Sequence, residues 1–312
     1  MLSRRRLLGW MAAGPTLVLV SAVAAQDHPG PIIVGFSQDT LANDWRLAQV
    51  NDFRQALARY PDVELRVTDA KGTTAQQISD IENLVAGNVD VLVTSPRDGR
   101  AMMPVIARAY RAGIPVVLLT RQIEGSEYTS FISPDDVGIG RDAARHLADV
   151  LGGKGDVLML EGVPTASTAI LRTRGFREEL KRYPKLRVVG VKTGNYLRND
   201  AIRGVEEALH EGLHFDAIFA QSDSMASGAR IALRGAGRDP AGVVIVGIDY
   251  IDEAREAIRK GEQSASFTYP TCAAEAAQVV MEIAAGRDVP RHIAVPSQKI
   301  TRANVERVKP IF

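Results

Sequence analysis

The sequence predicts an α/β fold built from two similar doubly wound parallel-sheet lobes, joined by several hinge crossovers. Three observations carry this expectation. Short apolar runs with almost no charge alternate with amphipathic helical segments along most of the 312 residues, as buried strands of a parallel sheet and their covering helices do. The alternation restarts midway as though copied. Two of the runs, Ile114 to Leu119 and Val243 to Ile248, end at a charged side chain close to the strand's carboxyl end, Arg121 and Asp249. In open α/β sheets ligands sit outside that end.

Taken in order, Ile32 to Phe36 reads as a strand and Trp45 to Tyr60 as a helix, its apolar positions Leu47, Val50, Phe53 and Leu57 recurring every three or four residues. Pro61 stops it. Val63 to Val67 is a second strand; Thr73 or Thr74 caps a helix running to about Gly87, and Val89 to Thr94 is a third strand. A helix from Gly99 to Ala112 leads into the strand ending before Arg121, and Tyr128 to Ile132 is a fifth strand. The second round begins with a helix capped by Asp135 or Asp136 and running to Leu151. It continues with strand Asp156 to Leu160, helix Ser167 to Tyr183, strand Arg187 to Val191 and helix Asn199 to Glu211. Strand Ala217 to Ala220, helix Ser224 to Arg234, strand Val243 to Ile248 and helix Ile251 to Arg259 complete a half expected to match the first in element count. The remainder, strand-like Ala265 to Thr268, helix Ala273 to Ala285 and strand-like Ile293 to Val295, is too small for a third domain and is expected to cross back to the first. The expected lobes are therefore 31–134 with 268–296, and 135–267 with 297–312.

Residues 1–25 read as a leader. Arg4, Arg5 and Arg6 precede a short apolar stretch containing Gly14 and Pro15, and Ala22 to Ala25 offer a cleavage region near Ala24 or Ala25. The paired arginines fit twin-arginine export, with an ordinary secretory signal as the alternative; both lead to the periplasm. Without the leader, 35 basic residues face 37 acidic ones, a balance that gives no electrostatic case for nucleic acid or an anionic membrane. Cys272 is the only cysteine, so an intrachain disulfide is impossible.

Two motifs suggest enzymes and are outweighed by their context. His210-Glu211-Gly212-Leu213-His214 has the zinc-protease spacing, but that chemistry needs both histidines on one uninterrupted helical face, and Gly212 falls where the helix should end. Gly138-Ile139-Gly140 resembles a dinucleotide fingerprint. Its first glycine does not follow a strand directly, so close helix packing explains these glycines better. There is no nucleophile elbow, P-loop or histidine at a strand end. No catalytic residue, metal or cofactor is expected.

The polar residues at strand ends are binding groups: Ser37, Gln38, Trp45 and Arg46 after the first strand, Arg121 after the fourth, then Arg172, Tyr196, Ser222 and Asp249 in the second half. Guanidinium forks donate to neighbouring oxygens, carboxylates accept from hydroxyls, and an aromatic face covers the C–H side of a sugar ring. Together they suit a sugar or polyol.

These residues sit within stretches that resemble one family. Gly35-Phe36-Ser37-Gln38 with Trp45-Arg46, Ile114 to Val117 leading to Arg121-Gln122, Thr165-Ala166-Ser167 with Arg172 to Phe176, Phe219 to Met225 and Val246 to Asp249 are similar to periplasmic sugar-binding proteins of the ribose-binding type, nearest to galactofuranose-binding relatives. The resemblance implies a non-enzymatic, monomeric two-lobed clamp that closes on a sugar and delivers it to an ABC-transporter permease. The alternative is a ligand-sensing module for a histidine kinase or chemoreceptor. It implies that Arg121, Arg172 and Asp249 hold hydroxyls and that Trp45 and Tyr196 stack. It also puts Arg46 where some relatives carry an arginine and Thr268 near a hinge glutamine position. Ser222 stands where the family usually has asparagine, and Thr120 where a carboxylate or amide often precedes the arginine. With Asp249 as the only acid expected opposite Arg46, Arg121 and Arg172, the pocket reads as net positive, which admits an anionic sugar derivative.

Overall fold

The computed structural model describes residues 30–312; the leader expected at 1–25 lies outside the described residues. Two parallel sheets form the frame. The first contains β1 (Ile32–Gln38), β2 (Val63–Asp69), β3 (Val91–Thr94), β4 (Val116–Leu119), β5 (Ser130–Ser133) and, from late in the chain, β11 (His292–Ala294), in the order β11-β5-β4-β3-β1-β2. The second holds β6 (Lys154–Glu161), β7 (Lys185–Thr193), β8 (Ala217–Ala220) and β9 (Val244–Val246) in the order β7-β6-β8-β9. Both sheets share one winding, with the second strand outside the first and the third and fourth on its other side. In each, the order reverses beside the first strand, which opens a crevice at the strands' carboxyl ends.

The two halves differ in strand number. The first sheet has six strands and the second four, so the expected match in element count does not hold. Val246 instead forms an isolated bridge to Ala265, where a fifth strand would lie. β10 (Ser266–Phe267), inside the strand-like stretch expected at 265–268, pairs antiparallel beside this sheet's edge with β12 (Lys299–Ile300), which the sequence did not announce. The chain therefore passes between the sheets three times: from β5 to α4 (Asp136–Leu151), from β10 to α9 (Ala273–Ala284), and from β11 to β12.

Helices cover both faces. In the first lobe, α1 (Asp44–Leu57) and α9 bury Val50, Phe53, Ala276 and Val280 against Val34, Phe36 and Val117. On the opposite face, α2 (Thr74–Ala86) and α3 (Met103–Arg111) bury Ile81 and Ile106 against Leu92 and Leu118. In the second lobe, α6 (Arg198–His210) and α7 (Asp223–Gly235) pack on one face, α4 and α5 (Ser167–Leu180) on the other. After α8 (Asp252–Lys260), the carboxyl-terminal segment packs Ile300 and Val305 against Tyr250 and Ile258, and the Tyr250 hydroxyl donates to the Val305 and Val308 carbonyls.

Caps set the boundaries. Thr73 and Asp135 each accept a backbone N–H as N-caps of α2 and α4. α3 starts at Met103 rather than Gly99, because the Asp98 side chain ties the Arg100 and Ala101 amides into a turn and Pro104 suits only a helix's first positions. The two enzyme-like motifs resolve into scaffold. α6 ends at His210 and Gly212 sits at φ +71°, which carries His214 off the helix. Gly138 and Gly140 lie in the first turns of α4. A Cβ on Gly140 would come 2.2 Å from the Arg172 carbonyl oxygen, and one on Gly175 of α5 2.0 Å from that of Val137. These glycines let α4 and α5 cross in backbone contact.

Candidate functional site

A small cavity lies between the lobes at the strands' carboxyl ends, the place where open α/β sheets bind ligands. Trp45, Arg46, Arg121, Arg172, Tyr196, Ser222 and Asp249, all expected from sequence, line it together. Asp39, Thr40, Asn43, Thr168, Asn195 and Tyr269 complete the wall.

Three arginines from three elements converge, and each is held by acceptors. Arg121 follows β4, is 1% exposed, and donates through one NH1 to Asp39 Oδ2 at 2.7 Å. Arg46, on the first turn of α1, donates to Gln49 Oε1, Ser95 Oγ and Thr120 Oγ1, with its Nε 3.5 Å from Asp39 Oδ1. Arg172 of α5 donates through Nε to Asp136 Oδ1 at 2.8 Å and through NH1 to the Gln221 carbonyl at 2.6 Å. Asp135, not Asp136, caps α4, so the Asp136 carboxylate is free to turn inward. The Gly140–Gly175 crossing brings Arg172 beside it.

Asp249 is not the only acid near the arginines: Asp39 joins it in the wall, and Asp136 stands behind Arg172. Burial alone would raise Asp39, but Arg121, Arg46 and Arg97 outweigh it and hold the carboxyl below its usual range. Asp136 goes the other way: burial raises it, and Arg172 only partly offsets this. Asp249 is pushed well above the usual range, chiefly by burial, against an opposing pull from Arg172. Burial also lowers Arg46 to about 10, with Arg121 adding to the effect.

Aromatic rings close the wall. Tyr196 sits where the Gly162 Cβ would be, and its hydroxyl shares a 2.8 Å hydrogen bond with Thr168 Oγ1. The Arg121 and Arg172 guanidinium carbons lie 5.5 and 5.9 Å from its ring centre. Trp45 is 4% exposed and reaches from α1 into the second lobe's core, its indole N–H donating to the Tyr269 carbonyl at 2.9 Å. Tyr269 lies under Arg172 at 4.3 Å and donates its hydroxyl to Asp136 Oδ2 at 3.1 Å.

Three expected residues are not part of the wall. The Ser37 carbonyl accepts from Thr94 and Gln77 inside the first lobe. Gln38 turns towards α1, its amide donating to Gln49 while its oxygen accepts the Asp39 N–H. Thr268 Oγ1 accepts the Gln298 amide on a crossover, and the next residue, Tyr269, faces the cavity instead. A one-residue step along extended chain reverses the side chain's direction. Asp39 carried a readable signal, being the first charge beyond an apolar strand, like Arg121 and Asp249. Asp136 carried none, since its role depends on which neighbour caps the helix.

Comparison with known proteins follows this geometry. A model of the periplasmic binding protein domain matches residues 34–288. The chain is 32% identical over 206 residues to a xylitol-binding protein of Mycolicibacterium smegmatis, covering 66% of this chain and 58% of that one, so it spans somewhat over half of that relative's length. It is 30% identical over 262 residues to a galactofuranose-binding protein of Escherichia coli, covering 80% and 82%. A Bacillus halodurans ABC-transporter solute-binding protein with bound myo-inositol superposes with a TM-score of 0.85 at 27% identity, over 90% and 98% of the two chains. Two sheets of shared winding facing one buried polar cavity, and a family model spanning nearly all the described residues, lead to one assignment: the chain belongs to the periplasmic binding protein family.

Proposed function

We propose that this protein captures a small sugar or polyol in the interlobe cavity, closes on it, and hands it to an ABC-transporter permease. The observation that carries this reading is the wall itself. The buried guanidinium groups of Arg46, Arg121 and Arg172, the carboxylates of Asp39 and Asp249 and the rings of Trp45, Tyr196 and Tyr269 line one small cavity. Arginine forks and carboxylates suit vicinal hydroxyls, and the Tyr196 and Trp45 rings suit the apolar C–H face of the same molecule. The ligands in the relatives' names, xylitol, galactofuranose and myo-inositol, are of this chemical kind. The arginine-led leader at 1–25 supports export to the periplasm, where such a protein would meet its solute.

A thermal-shift screen over alditols, pentoses, furanose-forming hexoses and cyclitols tests the proposal. Ligand at a hundred times its Kd should stabilise the fold by about 2.7 kcal/mol. Calorimetry on the hits should then show Arg172→Ala weakening binding at least a hundredfold. That variant also melts earlier, because Asp136 loses its buried partner, a loss of ~3–5 kcal/mol in comparable pairs. If no compound of these classes shifts the melt, the reading is wrong.

A further inference from the structure

Two atoms of the cavity residues are left unanswered by the protein. Asp39 Oδ1 and Arg121 Nε are both buried and make no hydrogen bond, although the same two side chains are joined through Asp39 Oδ2 and an Arg121 NH1. Arg46 Nε approaches Asp39 Oδ1 to 3.5 Å and Arg97 NH1 approaches Oδ2 to 3.7 Å, as ion pairs without a hydrogen bond. A carboxylate oxygen can only accept, and a guanidinium N–H can only donate. Buried groups of this kind are normally answered, and these belong to residues that line the cavity.

We propose that Asp39, paired with Arg121, is a specificity determinant that makes this cavity read a neutral ligand hydroxyl and reject sugar acids and sugar phosphates. The inference rests on the sugar-or-polyol reading above and narrows it. A hydroxyl, or two on adjacent carbons, accepts from Arg121 Nε and donates to Asp39 Oδ1. A carboxylate or phosphate oxygen could accept from the arginine but has no proton for Asp39, and it sets a second negative charge against it. Asp39 stays ionised because its three arginine neighbours outweigh burial.

The test is calorimetry on the purified protein, Asp39→Asn and Asp39→Ser with matched pairs: xylitol and xylonate, ribose and ribonate, myo-inositol and its monophosphate. The unmodified protein is expected to bind the neutral member of at least one pair a hundredfold or more tightly than its acid. Asp39→Asn should narrow that ratio at least tenfold, the neutral compound losing affinity and the acid gaining it, and Asp39→Ser should do the same. An acid bound as tightly as its neutral partner by the unmodified protein overturns the proposal, and that result needs no variant. So does an unchanged ratio in a folded Asp39 variant while Arg172→Ala abolishes binding, an outcome that leaves the sugar-binding reading standing. Failure of the unmodified protein to bind any member removes both.

Discussion

Asp223, the first residue of α7, is fully buried beneath the Asp249 turn, and a Cβ on Gly247 would lie 1.9 Å from its Oδ1. Burial raises its carboxyl to about 6, although Ser266, Gln263, the Tyr250 amide and the charge of Arg230 all favour the ionised form. The folded protein therefore holds this proton more tightly than the unfolded chain. The associated stability is complete below the ordinary carboxylate value of 3.8 and is lost as pH rises to about 6. His146 contributes with the opposite pH dependence. Burial, aided by Lys299, lowers its imidazole to about 4, so its contribution is lost as pH falls from 6.5. Because the two windows overlap, the raw pH curve conceals both, and the variant difference is what isolates Asp223. Urea unfolding of Asp223→Asn should show a deficit against the wild type that shrinks by up to about 3 kcal/mol between pH 4 and pH 7. A deficit independent of pH would mean that Asp223 titrates normally.

At the scale of elements, the α4–α5 crossing does most to assemble the site. An alanine methyl at Gly140 would meet the Arg172 carbonyl at 2.2 Å, and backbone cannot swing aside as a flexible side chain can. Gly140→Ala should therefore separate the helices, cost ~1–3 kcal/mol of stability, and draw Arg172 away from Asp136. Melting should fall, and ligand affinity should drop at least tenfold even though residue 140 is not on the cavity wall; unchanged affinity would uncouple the crossing from the site. Sequence showed these elements well because each carries its own signal: period-3.6 apolar positions, Thr73 and Asp135 as caps, Gly212 as a terminator. It showed the charged strand tips Arg121 and Asp249 for the same reason. Asp39 and Asp136 went unrecognised because their roles come from pairing with Arg121 and Arg172, 82 and 36 residues away. Asp39 and Tyr269 line the cavity where their neighbours Gln38 and Thr268 do not, because one step along extended chain turns a side chain to the opposite side.

Across the whole molecule, the lobes touch through bonds that involve no ligand. Asn43 Nδ2 donates to the Tyr196 carbonyl at 2.6 Å, the Gln122 amide to Ser167 Oγ at 3.0 Å, and Thr165 Oγ1 to the Arg97 carbonyl at 3.2 Å. Each exists only while the lobes are together, so each biases the open–closed equilibrium without discriminating among ligands. The three crossovers at 133–136, 267–273 and 294–299 are where such a motion can bend. Ser167→Ala is the cleanest probe, since residue 167 does not line the cavity and alanine is tolerated at the start of a helix. One neutral hydrogen bond contributes ~0.5–1.5 kcal/mol, so affinity should fall about two- to tenfold. If the bond forms after ligand has entered, as the proposed closure requires, stopped-flow traces should show the loss as faster release, with the association rate unchanged. A variant whose slower association accounts for the whole loss would place this contact on the entry path, and closure would then have to be driven by the ligand's contacts alone.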